Sequence, residues 1–292
     1  MISFWNRLFF REESSASLSV FRIWTGVALA VHLFPSLIWL RENYLASGYH
    51  DPDPDFFPAR ILNAAGLTPD MLVWIMAAVC LTAWAGFISG YRYRVSCWLL
   101  IASCYFFMAV NAYHLRSLAW HVVLITLIPL AVTPYPADYF SLDAKFNPRP
   151  PRSLRPIVIK RLLQVQVMCI YFYSGFSKIN PGDWLEKNPI YYLMHYPYGS
   201  TVREFWGRNF LADHPQICYG TGIAVVLTEL LLPFGLAFRK TRHATVLIAA
   251  LMHLGFSLTL HVEMSFLLIF WAYLFLFLDL PKKAAAPMRA AV

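Results

Sequence analysis

Apolar residues along this chain gather into eight long runs, at 17–40, 69–89, 95–112, 117–133, 156–176, 217–238, 244–260 and 264–280, with polar residues concentrated between them. Each run is close to or above the roughly 17–20 residues that a helix needs to cross a bilayer. The pattern predicts an all-α fold, a polytopic membrane bundle of about eight transmembrane helices with both termini on one side. Basic residues test that alternation. Sixteen of the 24 Lys and Arg residues fall on the side of the termini, among them Arg7, Arg11, Arg92, Arg94, the 145–161 segment, the 239–242 turn and the tail. Seven fall on the other side, at Arg41, Arg60, Arg116, Lys178, Lys187, Arg203 and Arg208. Cytoplasmic loops retain Lys and Arg, so both termini are expected in the cytoplasm.

Composition agrees: 59% of residues are hydrophobic, 14% are charged and the mean hydropathy is +0.51, too apolar for a soluble domain of this length. One membrane domain is expected over 1–292, with 1–16 as an interfacial segment and 281–292 as a cytoplasmic tail. Arg7 and Arg11 interrupt the N-terminal apolar residues, which argues against a cleavable signal. The net charge of +8 is accounted for by the loops, and no nucleic-acid-binding motif accompanies it. The five cysteines form no CxxC pair, so they are expected to be small buried hydrophobes and not a zinc or dithiol site.

Two opposite-side loops are long, 41–68 and 178–216. The first carries Asp51-Pro-Asp-Pro-Asp55, read as a solvated acidic turn because an EF-hand's spacing and glycine are missing. The second is rich in Trp, Tyr and His and suits either the headgroup layer or a lid.

The stretch with the most chemistry is 171–184, YFYSGFSKINPGDW. Gln164, Tyr171, Ser174 and Lys178 are spaced by seven, three and four, which places them on one helix face. A membrane helix turns such a stripe away from lipid. His121 lies about one turn inside the fourth run, and His253 lies in the seventh, where His253, Ser257 and His261 share one face at spacings of four. Asn111 and His114 border the end of the third run, and Glu229 is expected to pair with Arg22 or with a histidine. Ionisable groups inside a membrane tend to face an internal cavity. The bland alternatives are a snorkelling lysine and hydrogen-bonded packing histidines.

Spacing removes several chemistries. No His pair has the HxxxH spacing of di-iron oxidases, Lys178 stands where a serine-protease turn needs glycine, and no phosphate loop is present. Metal-free base chemistry remains. A lysine serves as a base where water is scarce, because burial disfavours the ammonium form. Its donor would be a phenolic or quinol hydroxyl dissolved in the bilayer.

SGFSKINPGDW, YRYRVSCWLLIASCYFF, AWHVVLITL and TELLLPFGLAFRKTRHATVLIAALMH, taken in order, resemble the membrane domain of vitamin K-dependent γ-carboxylases, called HTTM. The resemblance implies a lysine that deprotonates reduced vitamin K or another membrane hydroquinone. It also implies O2 and CO2 as co-substrates, with a basic epoxide-forming species taking a proton from a glutamate side chain. Carried over, the lysine falls on Lys178 and the membrane histidines on His121 and His253. Asn111, His114, Tyr171, Ser174, Trp184, Ser257 and His261 are the expected quinol-binding residues, with no metal. The expected setting is a bacterial inner membrane, with the site facing the periplasmic side and membrane lipids, a quinol and a peptide or protein acceptor as partners.

Departures are visible too. Ser177-Lys178 replaces a lysine pair, the spacing to Asp183-Trp184 is one residue longer, and a carboxylase-type lumenal portion after residue 280 is not expected. The rival reading is a non-catalytic factor that assists maturation of a secreted peptide with a partner subunit. A transporter is less favoured, because no span is interrupted in mid-membrane.

Overall fold

The structure, a computed structural model, describes residues 6, 9–45, 66, 68–111, 114, 117–146, 155–179, 184, 186–195, 205–260 and 264–278. The acidic turn at 51–55 and His261 lie outside these residues. Twelve α-helices are described, with a single two-stranded pairing, so the fold is all-α. They divide into two compact units, 1–161 with 279–292, and 162–278.

The first unit holds α1 (Ala16–Ile38), α2 (Leu40–Tyr44), α3 (Pro69–Ser89), α4 (Tyr93–Val110), α5 (Leu118–Ala131) and α6 (Leu142–Phe146). Thr68 starts α3 by accepting the Met71 N–H at 3.3 Å, with Pro69 in the first turn, where a missing N–H costs nothing. The helix stops at Gly90, whose φ of 68° is the left-handed conformation glycine adopts without strain. The chain then reverses into α4. Asp143 caps that start from a distance, its two carboxylate oxygens accepting the Arg92 and Tyr93 N–H groups at 2.9 and 3.0 Å. Trp84 donates to the Gly26 carbonyl at 2.8 Å and ties α3 to α1, while the Tyr93 hydroxyl donates to Leu130 at 3.0 Å and ties α4 to α5.

A polar layer collects where α1 starts, α3 turns into α4 and α5 has ended. Ser15 and Arg155 both donate to Asp138, at 3.0 and 2.9 Å. Strands β1 (Glu12–Glu13) and β2 (Arg155–Pro156) pair antiparallel, and Glu13 meets Lys160 and Arg161 at 3.3 and 3.8 Å. Before β1, the Phe10 N–H donates to the Asn6 carbonyl at 2.9 Å.

Helix α7 (Val158–Ile179) carries the chain into the second unit, which contains α8 (Pro189–His195), α9 (Arg208–Ala212), α10 (Pro215–Ala237), α11 (Arg242–Thr259) and α12 (Met264–Phe275). Gln164 and Gln166 of α7 donate to the Leu276 carbonyl and the Tyr273 hydroxyl, at 2.7 and 2.8 Å, and so spend their amides on the region of α12. Helices α10 and α11 form a hairpin in which Gly235 faces Thr245. A Cβ at Gly235 would lie 2.3 Å from the threonine hydroxyl.

Four helices are long and apolar enough to cross a membrane (Ala16–Ile38, Asp70–Ser89, Tyr93–Val110 and Pro215–Ala237), and Leu118–Ala131 is a shorter apolar one. The remaining runs do form helices, but Gln164, Gln166, Ser174, Ser177 and Lys178 dilute the apolar character of α7, and α12 has 12 described residues. Large apolar side chains stand exposed along these helices, including Trp74, Ile75, Leu81 and Trp98 on the α3–α4 hairpin and Leu227, Leu231 and Phe234 on α10. Surfaces of that kind meet lipid in a membrane protein. Cys80, Cys97, Cys104 and Cys218 are buried, as their apolar settings suggested, whereas Cys169 is exposed on α7.

Candidate functional site

The polar stripe of α7 faces inward over its whole length in the second unit. Near its end, the Lys178 amine has three partners: the Glu229 carboxylate of α10 at 2.5 Å, the Ser174 hydroxyl at 2.7 Å and the Ser174 carbonyl at 3.2 Å. Both members of the ion pair are largely buried, with side-chain exposures of 16% and 7%. Gly175 makes this approach possible. A Cβ there would sit 3.0 Å from the Leu230 N and 3.1 Å from the Glu229 Cβ, so a larger residue would force α10 away from α7.

The expectation that Glu229 pairs with Arg22 or a histidine is therefore corrected: its partner is Lys178. Arg22, wholly buried in the first unit, instead donates to the Phe140 carbonyl at 2.5 Å. The close α7–α10 approach decided this, and its one trace in the sequence is the small residue beside the serine in SGFSK.

Trp184 covers the pair, with the Lys178 nitrogen 5.3 Å from its ring centroid. Its ring also reaches Gly222 of α10, where an added Cβ would stand 4.0 Å from it. The cover continues along the first half of α10. Met194 of α8 and Cys218 of α10 centre an apolar cluster with Ile190, Leu193, Phe205, Leu211 and Leu260, and Asn188 donates to the Pro215 carbonyl at 2.9 Å. The described parts of the 178–216 segment thus pack against α10.

One to two turns before Lys178, the Tyr171 hydroxyl meets His253 Nε2 of α11 at 2.6 Å. The two rings pack with Phe270 of α12. The other ring nitrogen of His253, Nδ1, is buried without a hydrogen-bond partner. Tyr171 stands about two turns before Lys178 on the same inward face of α7. Lys178, Ser174, Glu229, Trp184, Tyr171 and His253 therefore form one neighbourhood. Ser257 is not spent there, since its hydroxyl donates to Leu254 of its own helix at 2.8 Å.

The other candidates belong to the first unit. The His121 ring is exposed, with Nδ1 at 2.9 Å from the Ser117 carbonyl one turn earlier. His114 turns inward instead: Tyr44 Oη lies 2.9 Å from its Nδ1, and it stacks on Trp120 at 5.0 Å. His32, which sequence reasoning passed over, meets the same indole at 4.5 Å. Asn111 donates to the Asn43 carbonyl at 3.0 Å and accepts the His114 N–H at 3.4 Å. This network holds the ends of α2 and α4 against the start of α5. Among the described residues, no group of three or more His, Cys, Asp or Glu could hold a metal ion.

Apolar helices, a lipid-facing surface and a covered ion pair define the class, a helical integral membrane protein with an internal polar site. The family follows from comparison: a model of the HTTM domain matches residues 10–280, and the chain belongs to that family. HTTM is the membrane domain found in vitamin K-dependent γ-carboxylase. No curated protein and no solved structure matches the chain.

Proposed function

We propose that the protein is a membrane enzyme that withdraws a proton from a lipid-soluble hydroquinone at the Lys178–Glu229 pair. The observation that carries this reading is the pair itself, buried under Trp184 on the inward face of α7. A buried ion pair is weak as a stabilising device, because desolvation offsets most of its attraction. Its place in the same unit as a buried imidazole and phenol favours a chemical role, since perturbable groups cluster at reacting sites.

The residues present suit a hydroquinone. Its two hydroxyls need a proton acceptor at one end and a hydrogen-bonding partner at the other, and its ring needs apolar walls. The Lys178–Glu229 pair meets the first need. The buried, unpartnered Nδ1 of His253 meets the second, and Trp184 and Phe270 supply aromatic surface. Oxidation of the hydroquinone by O2 would supply the strong base for carboxylation of an acceptor, as the family relationship suggests. Ser174 orients the amine, Tyr171 orients His253, and the lid excludes water from the exchange.

In this reading the chain crosses the membrane eight times as one domain, with cytoplasmic termini and the lid facing the opposite side of a bacterial inner membrane. The test is oxygen consumption by the purified protein with a reduced naphthoquinone in lipid nanodiscs. Wild-type protein should consume oxygen in step with quinol loss, and Lys178→Met should fall to the uncatalysed rate. Equal rates for the two proteins would end the proposal.

A further inference from the structure

Helices α8 and α9 are apolar on two sides. The inner side is spent, since Met194, Ile190, Leu193 and Leu211 close on Cys218 at the start of α10. Two further contacts fasten α9 there. The Arg208 side chain donates to the Met194 carbonyl at 3.3 Å, and the Cys218 thiol donates to the Leu211 carbonyl at 3.1 Å. The outer side presents large rings to the surroundings. Trp206 is 99% exposed, Phe210 four residues on is half exposed, and so is Tyr192 of α8. His214 continues the row at the same spacing, with its ring stacked on Phe210 at 4.3 Å.

Helix α10 shows what lies at this height. Its exposed residues recur every three or four positions, from Ile217 through Leu227, Leu231 and Phe234 to Phe238, and form one lipid-facing stripe. From Ile217 to Phe238 is 21 residue steps, about 32 Å at about 1.5 Å per residue, against a hydrocarbon core of about 30 Å. Arg239, Lys240 and Arg242 follow Phe238 directly, so that end of the stripe meets the headgroups. Ile217 therefore marks the opposite border of the core, and the Trp206–Phe210–His214 row directly precedes it. Rings that carry one polar atom settle in the headgroup layer at such a border.

We infer that α8 and α9 rest on the leaflet at the Ile217 end of α10, with Trp206, Phe210 and Tyr192 set into the boundary between headgroups and acyl chains. The partner of this surface is phospholipid, in the manner of an interfacial helix. A protein partner would take aromatic anchors into packed pockets. Trp206 instead stands clear of its own chain, and its row runs into the lipid stripe of α10. The segments covering the first half of α10 are then held from two sides, by the Cys218 cluster within and by lipid without. This placement is independent of the hydroquinone reading.

The experiment is electron paramagnetic resonance of single nitroxide labels on the full chain, in nanodiscs of phosphatidylcholine and phosphatidylglycerol. Cys169→Ser removes the exposed thiol and leaves four buried ones. Labels are then attached to Trp206→Cys, to Phe210→Cys and, as the hydrocarbon reference, to Leu231→Cys. At the first two positions, collisions with O2, which partitions into lipid, should exceed those with a water-soluble nickel chelate at least twofold, and the ratio should be higher still at the reference. Nickel collisions that exceed those of O2 at either position would put the row in water and overturn the inference. Low collision rates with both reagents would also overturn it, by showing that protein covers the row. Trp206 is too exposed to support any packing, so its substitution spares the fold, and Phe210→Cys supplies the same reading independently.

Discussion

Removing one member of the Lys178–Glu229 pair strands the other in a site that neither lipid nor water can serve. The partners are 84% and 93% shielded, so the remaining charge cannot be rehydrated without opening the lid. Breaking a buried pair by deleting one partner costs about 3–5 kcal/mol, whereas replacing both with apolar residues is neutral or stabilising by about 1–4 kcal/mol. Lys178→Met and Glu229→Met are therefore each expected to be destabilising, and the double variant is expected to recover the wild-type level or exceed it. At about 2–4 °C per kcal/mol for chains of this order of size, each single variant should lower the unfolding midpoint by about 6–20 °C. The assay is intrinsic tryptophan fluorescence on heating in detergent, with the monodisperse fraction followed in parallel by size exclusion. Two single variants that unfold with wild type would show that the pair is not buried in the membrane-embedded protein. A double variant less stable than either single would show that the two groups are not coupled. Either result refutes the geometry on which the proposed chemistry rests.

Gly90→Ala should destabilise strongly, because a Cβ there would fall 1.9 Å from the Arg22 guanidinium in a left-handed backbone. The same change at Gly220, where a Cβ meets nothing within 4 Å, should be neutral or stabilising by up to about 1 kcal/mol; paired melting curves check both. Tyr171→Phe leaves His253 with neither ring nitrogen bonded, so it should cost about 1–3 kcal/mol and weaken menadiol binding. Wild-type binding by that variant would remove the histidine from the site. Single cysteines placed in the 41–68 and 178–216 loops should react with an impermeant maleimide in intact cells, while cysteines in the 145–155 segment should react only after lysis. The reverse pattern would invert the assigned topology.

Helix positions were the most legible part of the fold. The run at 69–89 coincides with α3, and the runs at 95–112 and 217–238 fall within two residues of α4 and α10 at each end. Apolar length and glycine or proline punctuation determine such boundaries locally. The inward stripe of α7 was legible for the same reason, since Gln164, Tyr171, Ser174 and Lys178 depend only on helical periodicity. Partners across helices were not. Glu229 and Lys178 are 51 residues apart, and what joins them is the missing side chain at Gly175, which periodicity does not register. His121 and His114 show the same limit. Both lie near the α4–α5 connection, and helix rotation sends the first outward while a turn carries the second against Trp120.

The ion pair lies far from the start of α10, and the described segments that follow α7 cover that length of the helix. Side chains of α7 and α10 meet in antiparallel register, with Lys178 on Glu229, Gly175 beside Leu230 and Phe172 against Phe234. Glu229 is 14 residues from Pro215, so α10 continues about 21 Å beyond the pair, and the described part of α7 reaches one residue past Lys178. Along that length of α10 a charged pair needs cover from other segments to stay dry. Trp184 lies over the amine, and α8 and α9 pack along the first half of α10 through Met194 and Cys218. Shortening the loop so that α8 is lost should therefore leave α7 and α10 intact yet let water reach Lys178. The measurable consequence is labelling of the Lys178 amine by a water-soluble acylating reagent, detected by peptide mass spectrometry. Equal labelling with and without α8 would mean that the helix covers nothing.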